Sequence, residues 1–311
     1  MKRKALLLLT IIFGLVLAGC TQSNQKSEHH GLTIVTSFYP IYAITQEIAG
    51  EENDVQMIQS GSGIHGFEPS AADVKAITDS DLFIYHSDTL ESWAAAIAKN
   101  ITKDGGHVLE ASKDQSLDKV EGLEDIEAID GMDGKHLYDP HTWLDPELAA
   151  VEAQTITTEL SERDPANKDH YQKRAEKFKQ QTEQLIKKYQ QEFQNTKQKT
   201  FVTQHTAFSY LAKRFGLKQL GIAGITSEQE AGAQRLAEIE DFVKKYHVQT
   251  IFVEPNVSTK VADVVASSTG VEIETLSPLE ADPKNTATYL ENLEQNLKIL
   301  HQTLVKESKD N

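Results

Sequence analysis

Four side chains that can donate an electron pair to a metal ion, His65, His141, His205 and Glu280, stand far apart in a chain of 311 residues, two in each half. Each follows a strand-like run or lies in the loop beyond one. His65 sits in Gly61-Ser62-Gly63-Ile64-His65-Gly66-Phe67-Glu68-Pro69-Ser70, where glycines permit tight turns that present a side chain. His141 sits in Asp139-Pro140-His141-Thr142-Trp143-Leu144-Asp145-Pro146, where two prolines limit backbone freedom before a helical pattern starting near Glu147. His205 follows the apolar run from Thr200 to Gln204 and opens the segment Ala207 to Phe215, at a predicted strand-to-helix junction. Glu280 follows Val271 to Leu276 and Ser277-Pro278-Leu279. In open α/β sheets, ligands collect at the carboxyl ends of the strands.

Three imidazoles and one carboxylate suit a borderline-soft divalent ion in tetrahedral four-coordination, and zinc is the ion this donor set favours. Ligands so distant in sequence create a site only in the folded protein. Asp282 and Glu254 also lie beyond strand ends and compete with Glu280 for the carboxylate position. Among the other histidines, His86 in Tyr85-His86-Ser87-Asp88 follows a strand and could support the site from behind. Trp143 and Phe208 could shield an ion from water, although core packing explains them equally well. His29 and His30, His107, His136, His170, His247 and His301 lack such a context and are read as incidental, structural or surface residues. Catalytic zinc centres keep a coordination position open for water, whereas these four donors would close the shell. The chain contains no HExxH, GxSxG or GxxxxGK, and Asp130-Gly131-Met132-Asp133-Gly134 has the wrong spacing for a calcium loop. No enzyme activity is expected.

The elements that must position these donors alternate along the chain. Strand-like runs over Thr33 to Ser37, Val55 to Ser60 and Leu82 to His86 are separated by helical patterns over Ile41 to Ala49 and Ala71 to Thr78. Ser70 with Asp73 forms a capping-box signature for the latter. The alternation resumes with Phe201 to Gln204, Thr250 to Glu254 and Val271 to Leu276. It predicts an α/β protein of two lobes, each a parallel-sheet sandwich with flanking helices. Residues 32–163 and 196–311 are assigned to the lobes, and 164–195 to one long rigid connecting helix. Asp164-Pro165 is read as the cap and first turn of that helix, which continues to about Gln194. Tyr171, Ala175, Phe178, Leu185, Tyr189 and Phe193 recur on a single stripe of it.

The first 19 residues combine Lys2-Arg3-Lys4, an apolar stretch from Ala5 to Leu17 and Leu17-Ala18-Gly19-Cys20. This is an export signal rather than a spanning helix. Its end resembles a bacterial lipobox, with cleavage before Cys20 and acylation of its thiol, for which several acyl chains give durable anchoring. Residues 20–31 are polar and make a flexible tether. Cys20 is the only cysteine, so the mature fold has neither disulfides nor a thiolate site. Without the three signal bases, 28 Lys and Arg face 47 Asp and Glu, a formal charge of −19 that argues against nucleic acid and suits attraction of cations.

The runs HGFEPS, DPHTWLDP, TQHTAFSYLAKRFGL and LSPLEADP, in this order, resemble the metal-binding segments of zinc-specific substrate-binding lipoproteins of ABC importers, the ZnuA-like class, and particularly the streptococcal Adc-type and laminin-binding lipoproteins. The likeness spans Leu32 to about Val305. It implies that His65, His141, His205 and Glu280 hold one high-affinity Zn2+ between two lobes, and that the protein, lipid-anchored outside the cell membrane, delivers it to an ABC permease as a monomer. Manganese-type relatives carry a carboxylate at the position matching His205, so its imidazole implies zinc. The likeness also allows a surface adhesin for extracellular matrix such as laminin, with zinc structural, or contact with other surface zinc-binding proteins. Two departures stand out. The stretch Leu117 to Tyr138 is acidic and holds only His136 where many relatives have a histidine-rich loop, and the chain stops at Asn311 where some append a second zinc-binding domain.

Overall fold

The computed structural model describes residues 31–58, 64–120, 137–224, 233–255 and 257–310. The export signal, Cys20, His29, His30 and nearly all of the tether lie outside these residues, as do the Gly61–Gly63 turn, Asp130–Gly134 and His136. From Gly31 onward the chain forms one compact unit.

That unit holds two four-stranded parallel sheets. The first has the order β2-β1-β3-β4, with β1 Thr33–Thr36, β2 Asp54–Met57, β3 Leu82–Tyr85 and β4 Val108–Glu110. The second repeats the order as β6-β5-β7-β8, with β5 Thr200–Thr203, β6 Lys218–Gly221, β7 Thr250–Val253 and β8 Glu272–Thr275. In each, the strand order reverses beside the first strand, between β1 and β3 and between β5 and β7, which opens a crevice at the carboxyl ends there. The helices among the described residues are α1 Tyr39–Ala49, α2 Ala71–Asp79, α3 Ser92–Lys103, α4 Pro146–Arg163, α5 Lys168–Gln194, α6 Ser209–Phe215, α7 Ala233–Tyr246, α8 Lys260–Thr269 and α9 Tyr289–Asp310. The capping box opens α2 as expected, with Ser70 and Asp73 each bonding the other's backbone N–H.

Side chains alternate across the strands, so each sheet feeds two cores. Ile34, Leu82 and Ile84 face the same core as Phe201 and Phe252 from the second sheet, whereas Val35, Phe83 and Tyr85, and likewise Val202, Ile251 and Val253, face separate outer clusters. The shared core is completed by Phe178, Leu185 and Tyr189 of α5 and by Leu293, Leu297, Leu300 and Leu304 of α9. At about 1.5–3 kcal/mol for each large apolar side chain buried, this joint core dominates the attachment of one half to the other.

The 27 residues of α5 span about 40 Å. It packs on α1 and α4 from the first half and on α6 and α9 from the second. Its start corrects the sequence reading: Asp164 ends α4, and α5 begins only at Lys168, after Asn167. The Asp164 carboxylate accepts instead from Asn167 Nδ2 at 2.8 Å and from the Tyr171 hydroxyl at 2.6 Å, fastening the turn between the helices. Strands β4 and β6 were not anticipated. Three residues are too few to display a period, and Lys-Gln-Leu-Gly carries polar groups where a buried strand would normally be apolar.

Candidate metal centre

The four donors converge. His65, His141, His205 and Glu280 bring one ligand atom each to within 4.8 Å of one another, and all but His65 are fully buried. Nε2 of His141 lies 3.1 Å from Nε2 of His65 and 3.3 Å from Nε2 of His205. Glu280 Oε1 lies 3.5 Å, 3.6 Å and 3.2 Å from the same atoms of His65, His141 and His205. A regular tetrahedron with metal–ligand bonds of about 2.0–2.1 Å has edges of about 3.3–3.4 Å, so these five separations are close to those of a four-coordinate zinc shell, with the remaining His65–His205 edge within 4.8 Å.

Each donor is aimed by its own local structure. His65 stands between Ile64, buried in the shared core, and Phe67, whose ring packs edge-on against Trp93 at 5.7 Å. His141 directly precedes a 3-10 turn, Thr142–Leu144, that leads into α4, which is capped by Asp145. The Asp139 carboxylate accepts from both the backbone N–H of His141 at 3.0 Å and its Nδ1 at 2.7 Å. His205 leaves β5 at the reversal point of the second sheet, and the carboxylate of Glu254, leaving β7 beside it, accepts a hydrogen bond from His205 Nδ1–H. The His205 carbonyl is held by Thr203 and by Gln219 of the unanticipated β6. Gly221 at the end of β6 allows this loop to come close, because a Cβ there would lie 2.2 Å from Thr206 Oγ1. Glu280 is presented by Leu279, whose φ of 58° is rare for a leucine and costs of order 1–3 kcal/mol. Asn296 of α9 pins the preceding Ser277 through both its backbone groups.

The electrostatics call for a cation at the centre. Burial opposes charge on His205, but Glu254 and Glu280 outweigh it and push its pKa up to about 10. Burial likewise opposes charge on His141, and Asp139 raises it nonetheless. Burial favours neutral Glu280, yet the three histidines hold its carboxyl well below the usual carboxylate range. In the metal-free protein, protons therefore occupy the position that a divalent ion would take. Glu280 Oε1 has no well-formed hydrogen bond although it is buried, as expected of an atom shaped for a metal rather than a donor. With Nδ1 of His141 and of His205 turned to carboxylates, both rings direct Nε2 inward, where loss of its proton frees the lone pair that a zinc-binding imidazole presents.

The competing candidates fall elsewhere. Glu254 is behind His205 rather than among the donors, and Asp282 accepts from the Lys284 backbone N–H. His86 bonds Ser87 and Thr142 and packs edge-on against Trp143, so it reaches the site through residues beside His141 rather than as a donor. Trp143 packs 5.2 Å from the His141 ring and donates to the Pro278 carbonyl at 2.8 Å, linking the His141 and Glu280 segments. Phe208 lies in the shared core at the head of α6. Asp139 is the supporting residue that sequence reasoning missed. Its only signal was a carboxylate two positions before a candidate ligand.

Residues 34–303 match the ZnuA family, described as zinc-uptake complex component A, periplasmic. The high-affinity zinc uptake system protein ZnuA of Bacillus subtilis is 35% identical over 306 residues, covering 94% of this chain and 95% of that protein. The zinc-binding lipoprotein AdcA of Streptococcus pneumoniae is 36% identical over 98% of this chain, which spans only 62% of AdcA. Among solved structures, a Zn(II)-bound mutant variant of AdcAII from Streptococcus pneumoniae superposes with a TM-score of 0.83 at 58% identity, covering 88% of this chain and 98% of that one. The laminin-binding protein Lmb of Streptococcus agalactiae, described as bifunctional with adhesin and metal transporting activity, gives 0.81 at 55% identity, covering 88% and 100%.

Proposed function

This chain belongs to the ZnuA family of zinc-uptake components, which bind substrate rather than catalyse, and from that premise we propose that it captures one Zn2+ outside the cell membrane with His65, His141, His205 and Glu280 and delivers it to an ABC import permease. The observation that carries this reading is that five of the six donor separations lie between 3.1 and 3.6 Å and all lie within 4.8 Å, close to the edges of a tetrahedral zinc shell. Three imidazoles and a single carboxylate disfavour harder ions such as manganese, which prefer oxygen. The acidic surface helps gather cations, and acylation at Cys20 would keep the protein beside its permease. Among the described residues no helix is long and apolar enough to cross a membrane.

The test is equilibrium dialysis of purified protein at limiting free zinc with elemental analysis, in which wild type retains one zinc per chain and His141→Ala retains markedly less. Equal retention by the two would refute the assignment. For the anchor, Cys20→Ala should abolish incorporation of labelled fatty acid, and persistent labelling would exclude this thiol.

Similarity to Lmb supports a second reading, adhesion to laminin. The two roles separate cleanly, because adhesion independent of the ion would survive His141→Ala and adhesion that depends on the zinc-ordered surface would not.

A further inference from the structure

We propose that α6 carries a clasp, Tyr210 with Arg214, that holds the His141 segment against the His205 donor and thereby sets how slowly captured zinc leaves; this rests on the zinc-capture reading above.

Helix α6 starts four residues after His205, so it is rigidly tied to one donor. Tyr210 and Arg214, one turn apart, present neighbouring side chains on the helix surface. Both reach across to the first half. The buried Tyr210 hydroxyl donates to the Asp139 carbonyl at 2.8 Å and accepts from the Asp118 backbone N–H at 2.8 Å. Asp139 is the residue whose carboxylate fixes both the backbone and the ring of His141. Arg214 Nε lies 3.0 Å from each oxygen of Asp145, and an Nη lies 2.9 Å from Oδ2. Asp145 is buried and caps α4, so the guanidinium fork grips the other end of the same seven-residue segment.

The consequence concerns the ion's escape. His141 and His205 are donors from opposite halves, and losing zinc requires their Nε2 atoms to part. A segment fastened at both ends to the helix that follows His205 cannot drift independently of it. Tyr210 and Arg214 act through Asp139 and Asp145, which makes them positioning residues. Lys213 also bridges the halves, 2.6 Å from Asp118, but this pair is exposed and contributes little.

The test uses the full zinc-loaded protein and stopped-flow transfer of zinc to excess chromogenic chelator. Tyr210→Phe and Arg214→Met are each expected to raise the dissociation rate about tenfold, the effect of losing a net hydrogen bond or two, with association within about twofold of wild type. Arg214→Lys keeps the charge without the fork and should recover part of the slow release. Lys188→Gln, which removes an exposed pair with Glu294 on α9, is the control and should leave both rates unchanged. A purely structural clasp would lower the melting temperature of the variants while leaving dissociation as in wild type, and that result overturns the proposal. If Arg214→Met fails to fold, Tyr210→Phe, which removes a single oxygen atom, decides. A wild-type chain that holds no stoichiometric zinc would refute the capture reading itself, and is seen before any variant is compared.

Discussion

At the site, proton and zinc compete for the same lone pairs. His205, with its pKa pushed up to about 10 by Glu254 and Glu280 against the effect of burial, is protonated at pH 7, so zinc must expel that proton to bind. Zinc binding at pH 7 should release at least one proton per ion, and affinity should rise with pH by up to about tenfold per unit per proton displaced. Calorimetry in two buffers of different ionisation enthalpy measures the release, and identical heats in both would contradict it. The sign for stability is opposite. Because the folded pKa is raised, the contribution of His205 to metal-free stability is complete below about pH 6.5 and disappears as pH climbs to about 10. Behind the ligand, Glu254→Gln removes the anion that holds the Nδ1 proton and should weaken zinc binding about 10–100-fold, whereas Asp282→Asn should leave it unchanged. Equal effects in a competition titration would reject the division of roles. The donors themselves were legible because His65, His141 and Glu280 stand beside glycine or proline, His205 closes an apolar run, and all four lie in segments that resemble those of the ZnuA-like class. Glu254 was not assigned its role because it meets the His205 ring only where β5 pairs with β7, a contact far apart in sequence, whereas Asp139 meets His141 from two residues away and a carboxylate so placed carries little signal by itself.

Among the described elements, α5 and α9 each contribute six buried residues to the joint core. Phe178 is fully buried midway along α5, with its ring stacked 6.3 Å from Tyr289 of α9. Phe178→Ala should cost about 3–5 kcal/mol in a urea titration of the metal-free protein, through lost transfer energy and the cavity left behind. A loss below 1 kcal/mol would mean that the helix is not essential to the joint core. Its apolar stripe was readable as a 3.6-residue period, since Tyr171, Ala175, Phe178, Leu185, Tyr189 and Phe193 are all buried. Its beginning was not. Aspartate followed by proline is a good local start for a helix, but the short-range bonds of Asp164 to Asn167 and Tyr171 use that carboxylate to close the turn between the two helices. Strand β6 shows the same limit in another form. Its polar Gln219 looks unsuited to a sheet interior until its partners, Thr203 and the His205 carbonyl, are in place.

For the molecule as a whole, the question is whether zinc closes two lobes or orders the loops between them. Domains that rotate about a hinge usually meet through modest, rather polar surfaces. Here a single apolar core runs from Ile34 and Ile84 through Phe178 to Phe252 and Leu297, and separating the halves would expose several large side chains at about 1.5–3 kcal/mol each. The chain crosses between halves along an uninterrupted helix that also packs on both of them. Zinc binding would have to supply that exposure cost in addition to the cost of ordering its own donors, whereas loop ordering needs only the latter. Zinc should therefore leave the radius of gyration in small-angle scattering unchanged while slowing hydrogen exchange around His65, His141, His205 and Glu280, with α5 equally protected in both states. A large change in scattering with loop exchange unaltered would reject this account of the motion, and because it concerns how the protein moves rather than what it binds, the four-donor site would stand regardless.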